Sequence, residues 1–276
     1  MTSNSLLGTL ALVTGGASGI GYALADAYGQ RGASVLIADR DEQALEAAHT
    51  RLCAAGIDAH THVVDLCDAT AVAAVGKRAA SIGPISVACL NAGVSGGGWP
   101  IWETPDAAFD FAFGVNLWAL VNSMKAFVPT LIAQERPSTV VVTTSLAGLT
   151  SLPNTSSYTV SKAAAVAATR VLRAELALVA PHVQVACLAP AMVRTNLAHT
   201  TVAQQPEVLR RDDELTEQVH AAMNALGDSP EEVAQWVLDA VDAGRFWVLS
   251  PAENEFMRML SGELEELNNA MNTATA

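Results

Sequence analysis

The feature that most constrains this chain is a regular alternation of short, β-rich apolar runs with longer alanine-rich stretches of helical character. TLALVTG leads into a helical stretch, SVLIADR into EQALEAAHTRLCAA, and DAHTHVVDL into DATAVAAVGKRAASI, after which ISVACLNAG begins the next unit. Repeated βαβ units build parallel sheets, and strands covered by helices on both faces read as continuous apolar runs rather than alternating ones. The pattern continues through a long helix around Phe109 to Leu131, the strand STVVVTTS, a helix from about Ser157 to Val179, the strand VQVACLAP and a last strand near RFWVLSP. The expected fold is α/β, a single doubly wound (Rossmann) domain over residues 1–276 with a mainly parallel sheet flanked by helices on both faces. Two segments depart from the alternation. Residues 191–228 are polar and partly helical just after a strand end, the usual place for a lid or binding loop; a solvated helix pair is the alternative. Residues 253–276 form a C-terminal extension, read as a helix suited to packing on a neighbouring subunit.

Charge narrows the partners. A net charge of -13 and a pI near 4.7 oppose phosphate backbones and anionic membranes through long-range repulsion. No uninterrupted apolar run reaches the roughly 20 residues needed to cross a bilayer. The start, MTSNSLLGTLALVTGG, lacks the basic region and cleavage site of a secretory signal and reads as a first strand, so the expected location is cytoplasmic. Cys53, Cys67, Cys89 and Cys187 are far apart with no CxxC pair and are expected as reduced core thiols. His60 and His62 share a strand face but have no third ligand at compatible spacing, so no metal site is expected.

The turn Thr14-Gly15-Gly16-Ala17-Ser18-Gly19-Ile20-Gly21 follows the first strand and opens a helix. Glycines there allow a tight turn and close backbone approach to a diphosphate, and the helix N-terminus offers unpaired N–H groups and a positive dipole end. The spacing of Gly15, Gly19 and Gly21 differs from the commoner GxGxxG. Asp39 ends the second strand 18 residues after Gly21, where a carboxylate can accept hydrogen bonds from adenosine ribose hydroxyls. A 2'-phosphate would face that carboxylate at close range, which favours NAD over NADP. Arg40 is either an exposed arginine or a receiver for such a phosphate. Asp65, in VVDL, is either a partner for the adenine amino group or a helix N-cap.

Tyr158 and Lys162, in YTVSK, stand i, i+4 on one face of a predicted helix, in a chain with three tyrosines and three lysines. Ser145 lies 13 residues upstream, at a strand end where an open sheet meets its ligand crevice. Together with the TGGASGIG turn, Asp39, Asp65, Asn91-Ala92-Gly93 after the fourth strand and Asn116 in the long helix, these residues resemble the short-chain dehydrogenase/reductases across nearly the whole chain.

The resemblance implies a catalytic tetrad of Asn116, Ser145, Tyr158 and Lys162. It also implies a cofactor site formed by Gly15, Ser18, Gly19, Ile20, Gly21, Asp39, Arg40, Asp65, Leu66, Asn91, Ala92, Gly93, Tyr158, Lys162, Pro190, Val193 and Thr195. A phenol titrates near 10, too high for a base at neutral pH, and a neighbouring ammonium brings it down. Tyr158 would exchange the proton, Ser145 would hold the carbonyl oxygen, Lys162 would bind the nicotinamide ribose, and Asn116 would hold a water linking Lys162 to solvent. Asn91 is expected to join strands beside the cofactor. Two departures stand out: Pro190-Ala191 replaces the usual Pro-Gly, and SGGGWPIWE places Trp99 and Trp102 in a glycine-rich loop, either as an aromatic wall for a bulky substrate or as packing. Ser145, Leu146, Leu152, Tyr158 and Trp99 are the expected substrate contacts. No cationic clamp other than Arg194 is apparent.

The expected function is an oxidoreductase that moves a hydride between NAD(H) and a hydrophobic or aromatic secondary alcohol or ketone, acting on a small molecule as a homo-oligomer, dimer or tetramer. An NADP(H)-dependent carbonyl or acyl-thioester reductase is the alternative. A nucleotide-binding scaffold without activity is the reading from a different class, because fold alone does not imply activity.

Overall fold

The computed structural model describes residues 6–210, 213–251 and 255–273. Seven strands, β1 (Leu10–Thr14), β2 (Ser34–Asp39), β3 (Ala59–Val63), β4 (Ile85–Leu90), β5 (Ser138–Thr143), β6 (Val183–Ala189) and β7 (Trp247–Leu249), form one sheet in the order β3-β2-β1-β4-β5-β6-β7. Every pairing is parallel, so the expected mainly parallel sheet is wholly so. The order reverses between β1 and β4, and ligands of open α/β sheets bind outside the carboxyl ends of the strands at such a switch point.

Strand periodicity divides the core in two. On β1, Leu10 and Leu12 face one layer and Ala11 and Val13 the other. The first layer is closed by α3 (Ala69–Ile82), α5 (Ala119–Ala133) and α6 (Ser156–Val179), through Val72, Val75, Phe127, Leu131, Val166 and Leu176. The second is closed by α1 (Gly19–Gln30), α2 (Glu42–Ala54) and α9 (Pro230–Asp242), through Leu24, Leu45, Leu52, Val233 and Val237. Each such side chain contributes roughly 1.5–3 kcal/mol by leaving water. Helix starts follow local chemistry. Asp41 and Asp68 accept N–H bonds at the first turns of α2 and α3, and Ser229 with Glu232 makes a capping box on α9.

The long helix around Phe109 to Leu131 runs through three pieces. α4 (Asp106–Phe113) passes through a π turn at Gly114–Trp118 into α5. Among the described residues, Asp106–Ala133 is the one helical stretch long and apolar enough to cross a membrane; here α5 packs on α3, and α4 on α6. Residues 191–228 contain α7 (Leu197–Gln204) and α8 (Asp213–Leu226), which pack on each other. The C-terminal extension is α10 (Glu255–Thr273). The cysteines differ from expectation: Cys89 and Cys187 are buried thiols of the sheet, but Cys53 and Cys67 are exposed on α2 and on the loop before α3. Cys53 lies on the outward face of an amphipathic helix, and Cys67 follows a strand end, where the apolar pattern no longer implies burial.

Candidate active site

The carboxyl ends of β1, β2, β4 and β5 and the loops that follow them form one crevice. Gly15 (φ 61°) and Gly19 (φ 52°) take the left-handed backbone that the turn requires, and a Cβ on Gly15 would lie 2.8 Å from the Ala92 Cα. A Cβ on Gly21 would collide with the Gly15 carbonyl and come within 2.6 Å of Asn91 Nδ2, so α1 approaches the turn as closely as a chain can. Asn91 joins three strand ends: its N–H donates to Thr14 Oγ1 (3.0 Å), its Nδ2 to Gly15 O (3.1 Å), and its Oδ1 accepts from Thr143 Oγ1 (2.9 Å). The strand-joining role expected for Asn91 is what the geometry displays.

Asp39 ends β2 facing the crevice. Its Oδ1 accepts from Arg40 N (2.8 Å) and Asp41 N (3.3 Å), and its Oδ2 from Ala17 N (3.3 Å). Burial raises the carboxyl above its ordinary range, and these three N–H groups pull it back. Both oxygens are thus fixed in orientation while retaining lone-pair capacity for hydroxyl donors. Asp65 accepts from Cys67 N (2.9 Å), whereas the N-cap of α3 is Asp68, which takes Thr70 N and Ala71 N. The capping alternative for Asp65 therefore falls to its neighbour three residues on.

Lys162, in the second turn of α6, is 4% exposed; its Nζ donates to Thr143 O (3.3 Å) and sits 5.9 Å from the centre of the Tyr158 ring. Burial lowers the amine to about 8, opposed by the thiol of Cys187 behind it. Burial raises the Tyr158 phenol, and its hydrogen bond with Ser145 lowers it. Ser145 stands two residues beyond β5 and caps the short turn Leu146–Gly148, accepting from Ala147 N (3.1 Å). The cap and the contact with Tyr158 coexist on one hydroxyl.

Asn116 lies in the π turn, a feature that recurs at functional sites. Its Nδ2 donates to Val94 O (3.0 Å) and Ser161 Oγ (3.0 Å), and its Oδ1 accepts from Val94 N (2.9 Å). The side chain is a clamp on the loop after β4, its amide engaged by the chain itself. Gly93 keeps the adjoining space open, since a Cβ there would lie 3.1 Å from both Asn116 Oδ1 and Lys162 Nζ.

Charging Lys162 in this setting costs stability. Its folded value of about 8 lies below the ordinary 10.5, so the unfolded chain holds the proton more tightly. Stability is therefore depressed below pH 8 and recovers as pH rises from about 8 towards 10.5. Lys162→Met is expected to raise Tm at pH 7 by about 3–8 °C. The same variant should flatten the dependence of Tm on pH over that window and lose turnover, as calorimetry and a kinetic assay would record.

The crevice encloses a cavity of about 600 Å³. Every residue expected at the cofactor lines it except Gly21, which is buried in the turn behind. Trp99, Leu146, Leu152, Ser145 and Tyr158 also line it, and Phe111 and Val115 join them from one face of α4 and the π turn at i, i+4 spacing. Leu209, Val219 and Met223 of the 191–228 segment line it as well. The first helix of that segment is tied to the loop after β4: Ser95 donates to Thr201 Oγ1 through both N–H (2.9 Å) and hydroxyl (3.0 Å). Trp102 does not share the wall with Trp99. It is 80% exposed in a short turn, with its indole N–H on Glu103 Oε1 (3.2 Å), because that turn, Ile101–Glu103, rotates it outward. Arg194 is likewise off the wall, 3.9 Å from Glu232. Ala191 needs no left-handed backbone, and its N–H donates to Ser250 Oγ (2.9 Å). Thr195 Cγ2 stands within 3.0 Å of a Cβ placed on Gly19, so the threonine closes the crevice over the turn.

Sequence reasoning missed Thr143, whose carbonyl holds Lys162, Val94 and Ser161, which hold Asn116, and Phe256, which reaches the cavity from α10. The first three act through backbone atoms or over long sequence separations and leave no pattern in the sequence.

Comparison with known proteins agrees with this geometry. Residues 9–206 match the family described as short chain dehydrogenase. The 1-deoxy-11-beta-hydroxypentalenate dehydrogenase of Streptomyces avermitilis is 37% identical over 88% of this chain and 84% of its own. The C alpha-dehydrogenase of a Sphingobium species is 31% identical over 87% and 79%. A short chain dehydrogenase/reductase from Burkholderia phymatum, crystallised in complex with NAD, superposes with a TM-score of 0.87 at 28% identity, over 96% of each chain.

Proposed function

The chain belongs to the short-chain dehydrogenase/reductase family of oxidoreductases, and from that premise we propose that it interconverts a hydrophobic or aromatic secondary alcohol and its ketone with NAD(H). The observation that carries the proposal is the meeting of Tyr158, Ser145 and Lys162 on one wall of an apolar cavity whose other end is marked by Asp39. The Gly15–Gly21 turn, whose glycines let Ala92 and the start of α1 pack closely against it, suits a dinucleotide. The NAD complex of the Burkholderia phymatum neighbour supports the same reading.

Gly15, Ser18, Gly19 and Ile20 would receive the diphosphate, Asp39 the adenosine ribose, Asp65 and Leu66 the adenine, and Gly93, Lys162, Pro190, Val193 and Thr195 the nicotinamide half. When bound, the dinucleotide supplies or accepts the hydride. The protein does the rest. Ser145 Oγ donates to the substrate oxygen and fixes its position. Tyr158 takes the proton from an alcohol, or returns it to the oxygen of a ketone. Lys162 favours the phenolate by its charge. The Asn116 clamp holds the Val94 loop, and with it the open space at Gly93, in front of Lys162.

The substrate class rests on the wall. Arg40 and Lys162 are the cations on it among the described residues, one at the adenosine end and one in the tetrad, so the substrate end offers apolar surface without a charged clamp. Exposed Val160, Val171 and Leu178 on α6 support a homo-oligomer. Arg40 lines the cavity beside Asp39 and favours a second reading, an NADP(H)-dependent carbonyl or acyl-thioester reductase. Fluorescence titration with NADH and NADPH decides between them. NADH should bind more tightly, and Asp39→Ala should move the preference towards NADPH by about tenfold or more, as loss of a like charge predicts. Equal or tighter NADPH binding by the parent chain would assign the phosphate to Arg40. Tight NADH binding with no turnover across a broad alcohol panel would instead favour a scaffold.

A further inference from the structure

The segment that matches the family ends at residue 206, yet the cavity wall continues beyond it. Phe256, in the first turn of α10, lines the cavity. Two further residues on the same helix face seat α10 against the catalytic loop. Leu260 is 9% exposed, and Glu263 Oε1 accepts the backbone N–H of Ser151 (2.9 Å). Phe256, Leu260 and Glu263 fall at i, i+4 and i+7, one stripe of a helix. The loop they meet is the one that carries Ser145 at its start and Leu152 at its end, and α10 packs on its Leu146–Gly148 turn. Leu264 lies beside this stripe, and Leu267, at i+11, continues it past the contact; both are exposed.

We propose that α10 is a wall of the substrate pocket, with Phe256 a specificity-determining residue and Glu263 a positioning residue that sets where Phe256 stands. The inference rests on the dehydrogenase reading and sharpens its substrate class: the part of the substrate distal to the reacting carbon is an apolar ring or branched hydrocarbon large enough to reach Phe256. The bond from Ser151 is directional, so the position of α10 is coupled to the loop that holds Ser145. A purely structural tail would leave substrate discrimination untouched.

The test uses the full-length protein, NADH and cyclic ketones of increasing ring size, from cyclopentanone to cyclododecanone. Phe256→Ala is expected to raise KM for the large rings about tenfold while leaving kcat and NADH affinity within about twofold. Its effect on the smallest ring should be slight. Glu263→Ala should raise the same KM values several-fold, and Glu263→Gln, whose amide oxygen still accepts from Ser151, should restore them. Ketone binding to NADH-loaded protein in a Tyr158→Phe background, read by the change in NADH fluorescence, gives the same comparison without turnover. Ring-size selectivity and ketone affinity that are unchanged in both Phe256→Ala and Glu263→Ala overturn the inference. So does a loss that is uniform across ring sizes or is not restored by Glu263→Gln. A parent chain that binds large rings through Phe256 but reduces none of them upholds the pocket wall and overturns the dehydrogenase reading alone.

Discussion

Tyr158→Phe is expected to lower kcat by about 100- to 10,000-fold while NADH affinity stays within about twofold of the parent, the range by which a positioned proton donor contributes. The substitution keeps the half-buried ring in its place on α6 and removes one oxygen. That oxygen is the group that Ser145 hydrogen-bonds, so the loss is expected to fall on the proton step and to leave the cradle alone. Binding titration beside steady-state kinetics separates the two. Retention of most turnover would remove Tyr158 from the mechanism. The residual pH dependence carries further information: with the phenol gone, any ionisation that remains near 8 is expected to be that of Lys162, whose burial lowers it to about 8.

Gly21→Ala should have the second largest effect, this time on binding. A single methyl at that position runs into the Gly15 carbonyl, a backbone atom with nowhere to retreat because Asn91 Nδ2 already holds it. Either α1 withdraws from the turn or the turn flattens, and both misplace the N–H groups at the helix start. Overpacking of this kind costs about 1–3 kcal/mol in stability, and NADH affinity is expected to fall by at least about tenfold as the N–H groups lose their aim. Thermal unfolding with and without NADH reports both: a lower Tm for the free protein and a smaller upward shift on adding cofactor. An unchanged Kd would mean that the cradle tolerates the displacement, and the reading of Gly21 as a close-approach glycine would be wrong.

Much of this was legible beforehand because the relevant information is local. Asp39 is found by counting to the end of an apolar run, Tyr158 and Lys162 by helical spacing, and the Gly15–Gly21 turn by its place between strand and helix. What escaped depends on chain segments that meet only after folding. Trp99 and Trp102 are indistinguishable in SGGGWPIWE, yet one short turn sends the first to the cavity and the second to solvent. Asp65 and Asp68 are equally good caps by type, and only the start of α3 selects Asp68. Asn116 reads as a helix residue of ordinary composition, but its amide is consumed by Val94 and Ser161, 22 and 45 positions away. No periodicity encodes such partners. Cys67 shows the same limit at a boundary: the β-rich run reaches Leu66 beside it, but the strand stops at Val63.

The bond pair between Ser95 and Thr201 bears on the rhythm of turnover. One hydroxyl oxygen in α7 accepts from two donors on a single residue of the loop after β4, so α7 cannot ease away by degrees: swinging it outward breaks both together. At about 0.5–1.5 kcal/mol apiece, the two bonds bias the closed arrangement by on the order of tenfold or more. The same loop, through Val94, is held by Asn116. If the 191–228 segment acts as a lid, release of product requires both bonds to break at once, and that step would set the ceiling on kcat wherever the chemistry beneath it is fast.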